Sequence, residues 1–154
     1  MSEAAQERML LHPLPESHNS RLLIYAMRRM AQGGLNDAFA ANAMLSLFGA
    51  RSRRPILLLR ALMAEMARSS NNHIIVAPSC CRMMTAAEGE MLMIVASAQE
   101  RPRFIHGRIC NLLGVDHALG VLSSAQAVAQ AFGDLGRPLD YSVDAEAEPA
   151  FPID

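Results

Sequence analysis

Between Arg51 and Ala98 the chain carries two helix signals separated by a short apolar run, His73-Ile74-Ile75-Val76-Ala77, that cannot itself make a helix. This unit constrains the fold more than any other stretch. The first helix opens at Arg54-Pro55, with proline placed where its missing N–H costs nothing. Leu58, Leu59, Leu62, Met63 and Met66 then recur at helical spacing. Ser69-Ser70-Asn71-Asn72 reads as the stop. The apolar run ends at Pro78, which favours an extended residue before it, so 73–78 is expected to be a short buried strand or extended crossing. Thr85-Ala86-Ala87-Glu88 has the spacing of a capping box and stands directly before Met91, Leu92, Val95 and Ala98.

The flanks supply further helices. Asn19 or Ser20 is expected to cap a helix running to Ala31, with Leu22, Leu23, Ala26, Met27 and Met30 inward and Arg21, Arg28 and Arg29 away from that face. Gly33-Gly34 stops it. Asn36-Asp37 restarts the chain into Ala38–Phe48, a helix with almost no polar face. Such a helix is buried on most sides or sits in a subunit interface, and a buried Asn42 would need hydrogen-bond partners. Phe104 to Leu113 suits a shorter helix, and Asp116 is placed to cap a last one from His117 to Phe132. The reading is therefore all-α, an irregular bundle of about five or six helices with one short extended crossing. Residues 1–17 are expected to be a loose arm docking by Met9, Leu10 and Leu11. Residues 18–136 form a single helical domain, and 137–154 an acidic, largely irregular tail.

A chain of 154 residues is one domain's worth, and an apolar fraction of 51% is more than one copy readily hides. A homodimer is expected on that ground. Eleven methionines and no tryptophan place the packing on adaptable side chains. Core packing accounts for the methionines most simply, and a Met-rich binding groove is the functional alternative. All fourteen basic residues are arginine, which excludes a Schiff-base lysine, pyridoxal phosphate attachment and a P-loop lysine. From Asp140 onward five carboxylates and no arginine give −5, leaving +4 on the remainder, too little basic excess for a nucleic-acid binder. The longest apolar run, Met91 to Ala98, is too short to span a bilayer, and Met9-Leu10-Leu11, with no basic segment before it, is too short for the apolar core expected of a signal peptide. An odd count of three cysteines points to reduced thiols and a cytoplasmic location.

Gly33-Gly34-Leu35-Asn36-Asp37-Ala38, Arg53-Arg54-Pro55 with Leu59-Arg60-Ala61-Leu62-Met63-Ala64-Glu65, and Val76-Ala77-Pro78-Ser79-Cys80-Cys81-Arg82-Met83-Met84-Thr85 together resemble a family of small uncharacterised alphaproteobacterial proteins. The resemblance covers roughly residues 20–135 and implies a bacterial, cytoplasmic origin. It carries over no catalytic residue and no cofactor.

Chemistry-bearing residues are few. The vicinal pair Cys80-Cys81 follows the crossing and precedes a helix start, with Arg82 beside it. Positive charge and helix-start N–H groups favour a thiolate, which is both nucleophile and soft-metal ligand. His73 and His106 are the candidate companions, whereas Cys110 reads as core. Arg51, Arg53 and Arg54 precede a helix N-terminus and are candidates for holding an anion. No HExxH, GxSxG or GxGxxG occurs. The chain reads as a non-enzymatic interaction or regulatory protein, with a thiol- or metal-dependent protein centred on Cys80-Cys81 as the alternative.

Overall fold

The computed structural model describes residues 10–141, and these form six α-helices and one two-stranded ribbon. In chain order they are β1 (Leu10–Pro13), α1 (His18–Gly33), α2 (Ala38–Phe48), α3 (Arg53–Ser69), β2 (Met83–Thr85), α4 (Ala86–Ser97), α5 (Pro102–Leu113) and α6 (Leu119–Asp134). A 3-10 turn, Gly49–Arg51, links α2 to α3. The architecture is the expected all-α irregular bundle. Residues 1–9, with Met9 of the arm, and residues 142–154 of the acidic tail lie outside the described residues.

Helix ends follow the sequence signals in part. Asp37 caps α2 by accepting the Ala40 N–H at 3.0 Å. Thr85 and Glu88 form the full reciprocal box on α4. Gly34, at φ 95°, turns the chain out of α1 in a conformation that side chains with a Cβ resist. Three assignments need correction. The cap of α1 is Ser17, whose hydroxyl accepts the Ser20 N–H at 3.4 Å. Ser20 and Asn19 instead donate to the carbonyls of Asp140 and Pro138, which seats residues 138–140 against α1. Pro55 is the third residue of α3, not the first, still within the turn whose N–H groups lack intrahelical partners. Asp116 does not cap α6; Ala118 is its N-cap residue, and the Ala118 N–H is accepted by His106 Nε2 of α5 at 3.1 Å.

The apolar stripes meet in one core. Leu23, Ile24 and Met27 of α1 join Leu59 and Leu62 of α3, Leu92 of α4, Ile105 and Ile109 of α5 and Phe132 of α6, all essentially without exposure. The most extensive helix pairings are α3 with α6 and α1 with α2. Phe48 and Phe132 meet edge to face with centroids 5.0 Å apart. The ends of α3 and α5 are tied together, because Asn71 and Asn72 donate their N–H groups to Leu113 O at 2.8 and 3.2 Å.

Of two local expectations, one is met in its second form, a crossing rather than a strand, and one gives way. Residues 73–77 run as an irregular crossing with no strand partner among the described residues; Thr85 Oγ1 donates to Ile75 O and Gln32 Nε2 to Ala77 O. The ribbon forms elsewhere: β1 pairs antiparallel with β2, with an irregularity between Leu10 and His12. The second concerns α2. Asn42 is exposed, as are Ala38, Phe39, Leu45 and Ser46 around it, so this helix presents one uncovered face to solvent. Buried Asn42 is therefore wrong, and the low polarity of α2 emerges as exposed Phe39 (59%) and Leu45 (53%).

Candidate functional site

The end of α1, the second half of α3, the crossing and α4 enclose an apolar groove of about 360 Å³. Met30, Met63, Met66 and Met91 line it, with Leu35, Ile74 and Val76. Among the described residues, none that lines it carries a polar side chain. Met30, Met66 and Met91 are its buried floor, while Met63 is half-exposed and Leu35 lies open. Composition signalled that a methionine groove was possible. It did not say which of eleven methionines would converge, since they come from three helices.

The backbone that follows the crossing, Cys81–Met83, is held by an ion pair that periodicity placed wrongly. Arg28 does not lie away from the core; it and Glu88 are each 1% exposed. Its Nε donates to Glu88 Oε2 at 2.5 Å and one terminal nitrogen to Glu88 Oε1 at 3.1 Å. The terminal nitrogens also donate to the carbonyls of Cys81 and Met83, both at 2.7 Å. Glu88 Oε1 accepts the Thr85 N–H at 3.0 Å as well. One guanidinium thus fastens α1 to both ends of the Cys81–Met83 backbone and to the start of α4. Each of the three guanidinium nitrogens has an acceptor, which favours burying such a charge.

The thiol and metal candidates separate. Cys80 is exposed and Cys81 half-buried, in a turn closed by the Cys81 N–H donating to Pro78 O at 3.0 Å. The strand β2 stands between this turn and α4, so the pair does not reach the helix start; Thr85 and Glu88 occupy that position. His73 is exposed. His106 sits on α5 beside Cys110, with Nε2 3.7 Å from the sulfur. That nitrogen already accepts the Ala118 N–H, so it is not free to take a proton from the thiol. Among the described residues no three of His, Cys, Asp and Glu gather as a metal would require.

The arginine candidates do converge. Arg51, Arg53 and Arg54 border a shallow groove of about 530 Å³ whose other lining residues are Leu57, Leu58 and Leu135. Arg54 pairs with Asp134 at 2.9 Å, and this hydrogen bond, with that from Gln130, holds the Asp134 carboxyl below the usual range. The hydrogen bond from Arg29 does the same for Asp37, 2.9 Å away, helped by the Ala40 N–H. Burial, and then Glu90, push the Tyr141 phenol up.

Among the described residues no helix is long and apolar enough to cross a membrane. No curated protein and no solved structure matches the chain. Residues 1–131, including both grooves apart from Leu135, match the model of a family of unknown function, DUF6628, and the chain belongs to that family.

Proposed function

We propose that this is a non-enzymatic interaction protein that works as a homodimer in a bacterial cytoplasm and receives an apolar partner in the methionine groove. The supporting observation is the lining: four methionines and, among the described residues, no polar side chain. Such a surface offers no group for proton transfer, nucleophilic attack or metal binding, and it recognises by shape and apolar burial. Unbranched thioethers repack around partners of different outline. The fitting partner is the apolar face of an amphipathic helix, whose side chains at i, i+3 and i+4 fill such a groove. Three free thiols suit a reducing compartment.

Met63→Glu puts a carboxylate at the half-exposed wall of the groove, away from the buried floor. A protein recovered with the wild-type chain from its source cells is expected to bind the variant at least about ten-fold more weakly, on the order of 1.4 kcal/mol. Equal recovery by both chains would reject the groove as the docking site. The dimer is assigned to the uncovered face of α2, around Phe39 and Leu45. Light scattering is expected to give twice the chain mass for the wild type and the single mass for Phe39→Glu/Leu45→Glu. A wild-type monomer at micromolar concentration would end that assignment.

The second reading, a thiol-dependent protein, draws on Cys80, exposed in the Pro78–Cys81 turn beside its neighbour Cys81. Accessibility leads to the expectation that iodoacetamide modifies Cys80 well before Cys110 at neutral pH, read by mass spectrometry of peptides. Labelling of Cys110 first would remove this reading.

A further inference from the structure

The groove bordered by Arg51, Arg53 and Arg54 has cations on its rim and Leu57, Leu58 and Leu135 on its floor. An occupant must therefore be acidic and apolar at once. One segment of this chain has that composition: residues 142–154 carry Asp144, Glu146, Glu148 and Asp154 without a single arginine, and Phe151-Pro152-Ile153 among them. The described residues 10–141 hold thirteen arginines against nine carboxylates, a net +4, and the segment holds −4. We propose that residues 142–154 dock into this groove of their own chain, carboxylates on the arginine rim and Phe151 or Ile153 on the leucine floor.

The tether permits it. Leu135 lines the groove and Tyr141 stands six residues later, so at full extension the two are at most about 20–22 Å apart. Residues 138 and 140 are fastened to α1 by Asn19 and Ser20, which fixes the point of departure. Phe151 lies ten residues beyond Tyr141 and spans up to about 33–36 Å, enough to return. A short tether gives an effective concentration on the order of millimolar, so a contact too weak to hold a separate peptide is populated in cis. A second copy is a poorer occupant, because its body brings the same positive sign to the rim.

The chain has no tryptophan, so Phe151→Trp in the full-length protein creates a single fluorescent reporter. With a dissociation constant near the effective concentration, acrylamide quenching of the introduced indole is expected to be about two-fold weaker at low salt than when the segment is released. Release is expected from 1 M NaCl, where the screening length falls to about 3 Å. It is also expected from Arg51→Ser/Arg53→Ser, which touches two exposed side chains and leaves the Arg54–Asp134 pair intact. Reversing both sides, Arg51→Glu/Arg53→Glu with Asp144→Arg/Glu146→Arg/Glu148→Arg, is expected to restore protection. A readout without a tail substitution is the Ile153 methyl resonance, which should shift between the wild type and Arg51→Ser/Arg53→Ser. Quenching and methyl shift both indifferent to the two arginines would overturn the proposal. Protection that grows with protein concentration would overturn it too, since the groove would then be filled from another molecule. Circular dichroism of each variant checks that the helices persist.

Discussion

Arg28→Ala is expected to destabilise the protein by about 3–5 kcal/mol, because it leaves the Glu88 carboxylate buried at 1% exposure without its counter-charge. Natural domains of this size are stable by only about 5–15 kcal/mol, so the variant stands near the edge of folding at room temperature. The loss reaches beyond the pair itself. The Cys81 and Met83 carbonyls each lose a donor at 2.7 Å, and the backbone between the crossing and β2 loses its tie to α1. Since that crossing supplies Ile74 and Val76 to the methionine groove, the groove wall should loosen at lower denaturant than α3 and α6 unfold. Arg28→Lys keeps the charge but cannot reproduce the planar fork that reaches a carboxylate and two carbonyls together. Arg28→Met/Glu88→Gln, which removes both charges, should cost less than Arg28→Ala alone. Urea unfolding measures all three. An Arg28→Ala unfolding free energy within about 1 kcal/mol of wild type would mean that water reaches Glu88 and that the pair is not the fastening described above.

That arginine also marks where the sequence stops being readable. Helix starts that depend on neighbours in the chain were legible: Asp37 three residues before Ala40, Thr85 three before Glu88, proline within the first turn of α3. Each satisfies an orphan N–H locally, so spacing alone reveals it. Arg28 has no such signature. Its spacing sets it off the stripe formed by Leu23, Met27 and Met30 although the side chain is buried, and its acceptor Glu88 lies 60 residues away on another helix. Glu88 already had a sufficient local explanation as a capping residue, which hid its second role. The methionine groove was illegible for the same reason, since Met30, Met63 and Met91 share no helix. Asn42 failed differently. A helix with little polarity implies burial only if something covers it, and within one chain α2 has one face uncovered. The β1–β2 ribbon was missed because Leu10–Pro13 contains proline and Met83–Thr85 is three residues long, below any periodic signal.

Phe132→Ala is the other substitution with a large expected cost, about 3–5 kcal/mol. Phe132 is fully buried on α6, which forms with α3 the most extensive helix pairing of the fold. The exposed ion pair across that junction, Arg54 with Asp134, is screened by water and holds little of it together. Apolar packing must therefore supply the adhesion, and Phe132 is the largest apolar side chain of α6 buried without exposure. Its ring meets Phe48 edge to face at 5.0 Å, which ties the end of α2 to the same junction. Such a pair adds about 0.5–1.5 kcal/mol beyond area burial. Truncation would leave a void that the surrounding helices close only in part, because Ala125 and Val128 on α6 have no longer side chain to offer. Phe48→Ala should cost less, since Phe48 retains 9% exposure. The double variant is expected to fall short of the sum of the two single losses by about 0.5–1.5 kcal/mol, the energy of the ring pair counted in both. Strict additivity would mean that the rings touch without coupling and that α2 is held by its other contacts, with α1 and α3. Methionine-methyl NMR on the Phe132→Ala protein adds a discriminating measurement. Met63 and Met66 sit on α3, so a void at the α3–α6 junction that shifts this helix should move their resonances together. If those resonances stay fixed while stability falls, α3 keeps its place and the groove is insulated from the junction behind it.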